Sequence, residues 1–351
     1  MANADIFQDM TVDYVEFYVN DIERTLRWLV DGYGFVVRAS SARAGTRSVN
    51  LGHGEIDLLL TESTGDHPAR AYAERHYDGV ADIGIRVPDA AGAYAEAVRR
   101  GARPVAAPAT KGAVTTATIV GFGDVTHTFV QRPDHSAVAD IRGLAAVPGV
   151  SSAAGFGLRK VDHFAVCVEP GRIDETVEYY QRTLDFDLTL TERIVTGDQA
   201  MFIKVVQSKS RAVTFTLVEA DTSMAAGQID EFLKNHDGAG VQHMAFNTTD
   251  ILSSVRQLTD RGVELLPTPA AYYTTLAGRV RPDRHSIEQL QALNILVDED
   301  HDGQLYQIFA KSVHPRNTIF LEIIERAGAT TFGSSNIKNL YEAVEAQRNL
   351  P

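Results

Sequence analysis

Residues 80–108 (VADIGIRVPDAAGAYAEAVRRGARPVAAP) align along their whole length with residues 241–269 (VQHMAFNTTDILSSVRQLTDRGVELLPTP). Each copy opens with an apolar run that reads as a strand. Each continues with an aspartate placed to cap a helix, Asp89 or Asp250, and leaves that helix at an Arg-Gly pair. Two shorter pairs accompany them: VDYVEFYV with VDHFAVCV, and HTFVQR with FLEIIER. A unit that recurs in this way folds as a module and buries its apolar face against its neighbours. Four β-α-β-β-like units, two per half, account for nearly all of the chain. The expectation is an α+β protein of two domains, which suits a length of 351 residues.

The domain boundaries follow from composition. Residues 136–157 are rich in Ala, Gly, Pro and Ser and read as a linker. The N-terminal domain is expected over residues 1–135 and the C-terminal domain over 158–351. The segment from Tyr272 to Leu293 is amphipathic and has no counterpart in the first half. A last helix is expected from Ser335 to Gln347, behind the break at Gly333.

Net charge is −13, from 46 acidic and 33 basic residues, which argues against a nucleic-acid partner. Cys167 is the single cysteine, so no intramolecular disulfide can form and a reducing compartment is expected. The N-terminal stretch lacks the basic and apolar regions of a signal peptide, and no apolar run approaches membrane-spanning length. A cytoplasmic protein with no membrane partner is the expectation.

The two halves differ where it matters chemically. At three matched strand positions the first half has Tyr14, Asp82 and Thr128, and the second has His163, His243 and Glu322. An ionised carboxylate in an apolar run such as FLEIIER is costly unless something positive neutralises it. By strand alternation, His163 shares its face with Val161, Ala165 and Cys167. His243 shares its face with Val241, Ala245 and Asn247, and Glu322 with Phe320 and Ile324. One histidine in such a setting is ordinary core. Three coordinated differences between repeats point to a metal site. Zn(II) uses two His and one Glu in hydrolytic sites, but no HExxH motif is present. Two His and one carboxylate on three strands also suit Fe(II) with positions open for a bidentate substrate and O2.

The motifs VDHFAV, GQIDEFL, GAGVQHMAF, AYY, LYQIF, HPRNTIFLEIIER and FGSSNIKNLYEA together resemble the 4-hydroxyphenylpyruvate dioxygenase and 4-hydroxymandelate synthase family. The resemblance covers nearly the whole chain and is densest from Lys160 to Gln347. It implies a vicinal-oxygen-chelate fold of the glyoxalase/bleomycin-resistance type. That fold has four tandem βαβββ modules in two domains, each an open barrel-like sheet with helices outside. The N-terminal domain would be degenerate and metal-free; the C-terminal domain would be catalytic, with a C-terminal lid helix. It further implies Fe(II) on His163, His243 and Glu322, a small 2-oxo acid substrate that chelates the iron, and O2. Gln307 and Gln228 match family glutamines near the substrate and are given orienting roles. A homodimer is expected.

The family's two branches differ in product. Phe332-Gly-Ser-Ser-Asn336-Ile337, followed by Tyr341, resembles the mandelate-synthase pattern, as do Thr216 and Val218. The expected reaction is therefore 4-hydroxyphenylpyruvate to 4-hydroxymandelate and CO2. These residues, with Ile203, are the expected substrate contacts. Ile203 departs from the family, which usually has Ser there, so phenylpyruvate or an aliphatic 2-oxo acid is an alternative substrate. Homogentisate formation is the alternative reaction. A non-catalytic small-molecule binding or resistance protein on the same modules is the alternative of a different class.

Overall fold

The computed structural model describes residues 6–43, 45–133, 141, 143–148, 156–333, 335, 336 and 338. Two mixed sheets carry the two halves. The first contains β1 (Thr11–Tyr18), β2 (Val36–Arg43), β3 (Thr46–His53), β4 (Ile56–Ser63), β5 (Gly79–Arg86), β6 (Pro104–Lys111), β7 (Val114–Val120), β8 (Thr126–Gln131) and β9 (Ala145–Ala146). Its strand order is β6-β7-β8-β5-β1-β4-β3-β2-β9. The second contains β10 (Leu158–Cys167), β11 (Asp187–Thr196), β12 (Gln199–Gln207), β13 (Thr214–Ala220), β14 (Gly240–Thr248), β15 (Leu296–Asp300), β16 (Gly303–Phe309) and β17 (Phe320–Ala327). Its order is β11-β12-β13-β10-β14-β17-β16-β15. In each sheet an antiparallel central pair, β1 with β5 or β10 with β14, is flanked by parallel neighbours.

Helices join the strands: α1 (Ile22–Leu26), α2 (Pro68–His76), α3 (Ala90–Arg99), α4 (Ile173–Leu184), α5 (Gln228–His236), α6 (Ile251–Asp260), α7 (Ala270–Leu276) and α8 (Ile287–Ala292). Helix α1 runs on into a wider turn over Arg27–Gly32. The caps are those the repeat predicts. Asp89 accepts from the Gly92 amide and Asp250 from the Ser253 amide, both at 2.9 Å. None of these helices is long and apolar enough to cross a membrane.

One segment differs from expectation, and a second takes a form the sequence left open. Ala145 and Ala146, inside the expected linker, pair with Ser40 and Ala39 and lengthen the first sheet. Two residues are too few for any alternation to register. The insert at 272–293 forms α7 and α8, and the chain between them is tied down by a buried carboxylate. Glu325 accepts from Arg284 Nη1 at 2.6 Å and lies 3.1 Å from His285 Nε2.

The repeat is exact in register. Tyr14 faces Gly84, which pairs with Thr128; His163 faces Ala245, which pairs with Glu322. Glu16 faces Asp82 as Ala165 faces His243. In the first half, hydrogen bonds fill the centre. Tyr14 Oη donates to Asp82 Oδ2 at 2.6 Å, and Thr126 Oγ1 donates to Asp82 Oδ1 at 2.7 Å. The Tyr14 ring lies over Gly84, where an added Cβ would come within 2.4 Å of it. Other features are common to both halves. Arg132 donates to Asp13 as Arg326 donates to Asp162. Gln131 accepts from the first amide of α3, and Glu325 from the first amide of α6.

The two halves share a core. The fully buried Phe215 ring lies 5.9 Å from Phe122 and 5.4 Å from His127 of the first half. On its own side it lies 4.9 Å from Tyr180, 5.6 Å from Phe164 and 6.0 Å from Phe186. Across the same seam His127 Nε2 and Tyr180 Oη are 2.7 Å apart. Phe215→Ala should cost about 3–5 kcal/mol. Because the cluster spans both halves, the variant should still unfold in one urea transition by circular dichroism and fluorescence. Two separated transitions would contradict the shared core.

Candidate active site

The site is set by three adjacent strands of the second sheet. β10 supplies His163, β14 supplies His243 and β17 supplies Glu322. Glu322 Oε2 lies 3.3 Å from His163 Nε2 and 3.3 Å from His243 Nε2. The side chains are 2%, 4% and 15% exposed for Glu322, His163 and His243. One nitrogen or oxygen from each residue falls within 4.8 Å of the others. Ligand atoms about 2.1 Å from a shared ion lie roughly 3.0–3.4 Å apart when adjacent. The observed spacing fits one divalent cation, and the donor set carries a single negative charge to receive it.

Each imidazole is oriented from behind. His163 Nδ1 is 3.0 Å from Asp162 Oδ1, and His243 Nδ1 is 3.3 Å from Gln242 Oε1. Both oxygens can only accept, so each Nδ1 carries the proton and each Nε2 is aimed at Glu322. Asp162 is held in turn by Arg326, whose Nε and Nη2 donate at 2.9 and 2.8 Å. Aromatic rings complete the packing. Phe320 stacks on His243 at 4.9 Å, and Phe332 meets His163 edge-on at 5.1 Å.

The electrostatics follow from this geometry. Burial disfavours charge on His163, but the Glu322 carboxylate and Asp162 outweigh it and raise its pKa to about 9. Burial likewise opposes ionisation of Glu322, and His163 and His243 overcome it, so Glu322 titrates below the ordinary range. Burial holds His243 below the usual imidazole value. One proton therefore balances Glu322 when no cation does.

These three residues stand in the lining of a cavity of about 620 Å³. Of the expected substrate contacts, Ile203, Thr216, Val218 and Phe332 line it, as do Gln307 and, at its exposed rim, Gln228. Two buried polar atoms in this lining have no hydrogen-bond partner: Thr216 Oγ1 and Gln307 Oε1. Gly333 is needed beside Gln307. Its φ is +70°, and a Cβ there would sit 2.0 Å from Gln307 Oε1. Asn336 is placed differently from expectation. It is fully buried and accepts from Tyr272 Oη at 2.8 Å, and it does not line the cavity. Ile337 and Tyr341, and most of the expected C-terminal helix, lie outside the described residues.

Asp162, Gln242 and Arg326 escape a strand-by-strand reading. Alternation sends Asp162 and Gln242 to the face opposite their histidines. The ladder between β10 and β14 shifts register between Val161 and His163, and again beyond Ala165, and such irregularities re-aim side chains. The signal that could have found the clamp is the repeat itself, since Asp13 and Arg132 stand at the positions of Asp162 and Arg326.

Comparison with known proteins places this arrangement. A model of the glyoxalase/bleomycin resistance protein/dioxygenase superfamily matches residues 160–308. A model of the N-terminal part of hydroxyphenylpyruvate dioxygenase matches residues 7–142. The 4-hydroxyphenylpyruvate dioxygenase of Dictyostelium discoideum is 32% identical, over 96% of this chain and 97% of that protein. A probable 4-hydroxyphenylpyruvate dioxygenase of Aspergillus fumigatus is also 32% identical, over 96% of this chain and 93% of that one. Among solved structures, a triple mutant of 4-hydroxymandelate synthase from Streptomyces coelicolor is 40% identical, with a TM-score of 0.85. The match covers 97% of this chain and 99% of that one. Fold and family matches together define a dioxygenase of the vicinal-oxygen-chelate class. Within that class, the chain belongs to the 4-hydroxyphenylpyruvate dioxygenase family.

Arg326→Ala leaves the 7%-exposed Asp162 carboxylate without its cation. Removing one partner of a buried pair costs about 3–5 kcal/mol. The expected outcome is a loss of that size in urea denaturation. A change under 1 kcal/mol, on the order of a surface ion pair, would show that the clamp bears no weight.

Proposed function

We propose that the chain is an Fe(II)-dependent dioxygenase that decarboxylates an arylpyruvate with O2 and places oxygen on the benzylic carbon. The reference reaction is 4-hydroxyphenylpyruvate plus O2 to 4-hydroxymandelate plus CO2. The observation that carries it is the buried cluster of His163, His243 and Glu322 in the wall of a largely apolar cavity. The greater identity to a 4-hydroxymandelate synthase than to the curated 4-hydroxyphenylpyruvate dioxygenases supports the benzylic outcome.

Iron bound there would supply the O2 chemistry and a chelation point for the 2-oxo acid. The chain's own residues do the rest. Asp162 and Gln242 hold the imidazoles in the tautomer that presents Nε2. Phe309, Phe320 and Phe332 wall the cluster from water. Gln307, with a buried and unpartnered amide oxygen, is placed to orient the substrate, and Gln228 stands at the entrance. Such positioning would limit which carbon, benzylic or ring, comes within reach of the transferred oxygen.

A second reading, homogentisate formation, has the curated relatives in its favour, since those named above are 4-hydroxyphenylpyruvate dioxygenases. Product analysis separates the two. The Fe(II)-loaded protein given an arylpyruvate and O2 should release an aryl 2-hydroxy acid and one CO2 per O2 consumed. A ring-hydroxylated arylacetate as sole product would establish the second reading instead. Glu322→Gln and His243→Ala should each abolish stoichiometric Fe(II) binding and turnover. Turnover that survived His243→Ala would remove the metal assignment.

A further inference from the structure

The register of the second sheet sorts the cavity lining into tiers. Thr216 lies beside Ala165, and Ala165 faces His243, so Thr216 belongs to the tier of the metal cluster. Two residues further along the strands, about 6.6 Å away, Ile203 faces Val218, and Val218 lies beside Cys167. One tier beyond, Met201 faces Ala220 and Ile194. Gln307 lies on the other side of the cluster, pairing with Ile324, whereas its neighbour two residues on, Phe309, pairs with Glu322.

The Ile203 tier is apolar and closely packed. Ile203, Met201, Val218 and Ile229 are each at most 6% exposed and pack in one cluster with Cys167, Ile194 and Val205; Leu190 and Phe332 close against it. The other polar residues of the lining stand elsewhere. Thr196 and Gln199 face each other at the tip of the β11–β12 hairpin. Gln228 and Glu231 belong to the start of α5, and Gln242 is engaged with His243. An arylpyruvate bound by its 2-oxo acid end at the cluster spans one tier from keto carbon to the far edge of its ring. With the ring directed along that tier, its tip would meet Ile203 and Val218, which offer no donor or acceptor.

We infer that the preferred substrate is a 2-oxo acid whose aromatic ring carries no hydroxyl group, phenylpyruvate rather than 4-hydroxyphenylpyruvate. Ile203 is the residue that sets the preference. A phenol placed against this tier would surrender its water without gaining a partner. A hydrophobic pocket rejects an added hydroxyl only moderately, by up to about 100-fold. The proposal rests on the dioxygenase function assigned to the same cavity.

The test is anaerobic titration of the Fe(II)-loaded protein with phenylpyruvate, 4-hydroxyphenylpyruvate and 4-methylphenylpyruvate, followed by kcat/KM in air for the same three. The 4-methyl compound matches the hydroxyl in size and separates lack of space from lack of a partner. Phenylpyruvate and the 4-methyl compound should bind alike, and 4-hydroxyphenylpyruvate about tenfold or more weakly. Ile203→Ser should narrow that gap, chiefly by tightening the 4-hydroxy compound. Thr216→Val is the control. If Thr216 were the hidden phenol partner, the wild type would favour the 4-hydroxy compound and Thr216→Val would remove that advantage, which overturns the proposal. Equal or tighter binding of 4-hydroxyphenylpyruvate by the wild type overturns it in any case. If none of the three compounds binds or turns over, the arylpyruvate function itself fails, and the proposal with it.

Discussion

The second half of the chain is organised around one buried anion. Glu322 sits with 2% of its side chain exposed, on a strand face it shares with Phe320 and Ile324. A carboxylate can remain ionised there only because two imidazoles meet the same oxygen. Everything near it serves that meeting. Parallel pairing of β14 with β17 puts Glu322 beside Ala245, and antiparallel pairing of β10 with β14 brings His163 to the same place. Ala245 is small, so the cluster closes above it without obstruction.

The ladder that brings the ligands together is a property of the fold rather than of the metal. The first sheet has the same register with none of the ligands, and its Asp13 and Arg132 form the same clamp as Asp162 and Arg326. In the second half the clamp acquired a further contact, with His163. A single aspartate there both fastens a strand end and holds an imidazole, so a change at Asp162 is expected to reach both stability and chemistry.

Much of this was legible in the sequence because the duplication supplied an internal comparison. The strands, the Asp89 and Asp250 caps and the three ligand positions each recur at matched places, so a difference between copies carried information that a lone histidine does not. Side-chain direction was less legible. Alternation gives the face of a residue only while the ladder is regular, and the irregularities near His163 and His243 turn Asp162 and Gln242 toward their neighbours. The direction of Asn336 was hidden for another reason. A polar residue in a segment expected to cover a cavity can face inward or back, and only the position of Tyr272, far away in the chain, decides it. Ala145 and Ala146 had no pattern to read at all.

The hydrogen-bonded centre of the first half has a consequence for how the protein matures. Tyr14 over Gly84, with Asp82 satisfied by Tyr14 and Thr126, shows that this backbone closes around its own side chains with no ion to nucleate it. In the second half the raised pKa of His163, beside the Glu322 carboxylate and Asp162, lets an imidazolium take that place. Loading can therefore come after folding, as an exchange of proton for cation inside a finished scaffold. The scaffold would then stand complete before any metal entered it.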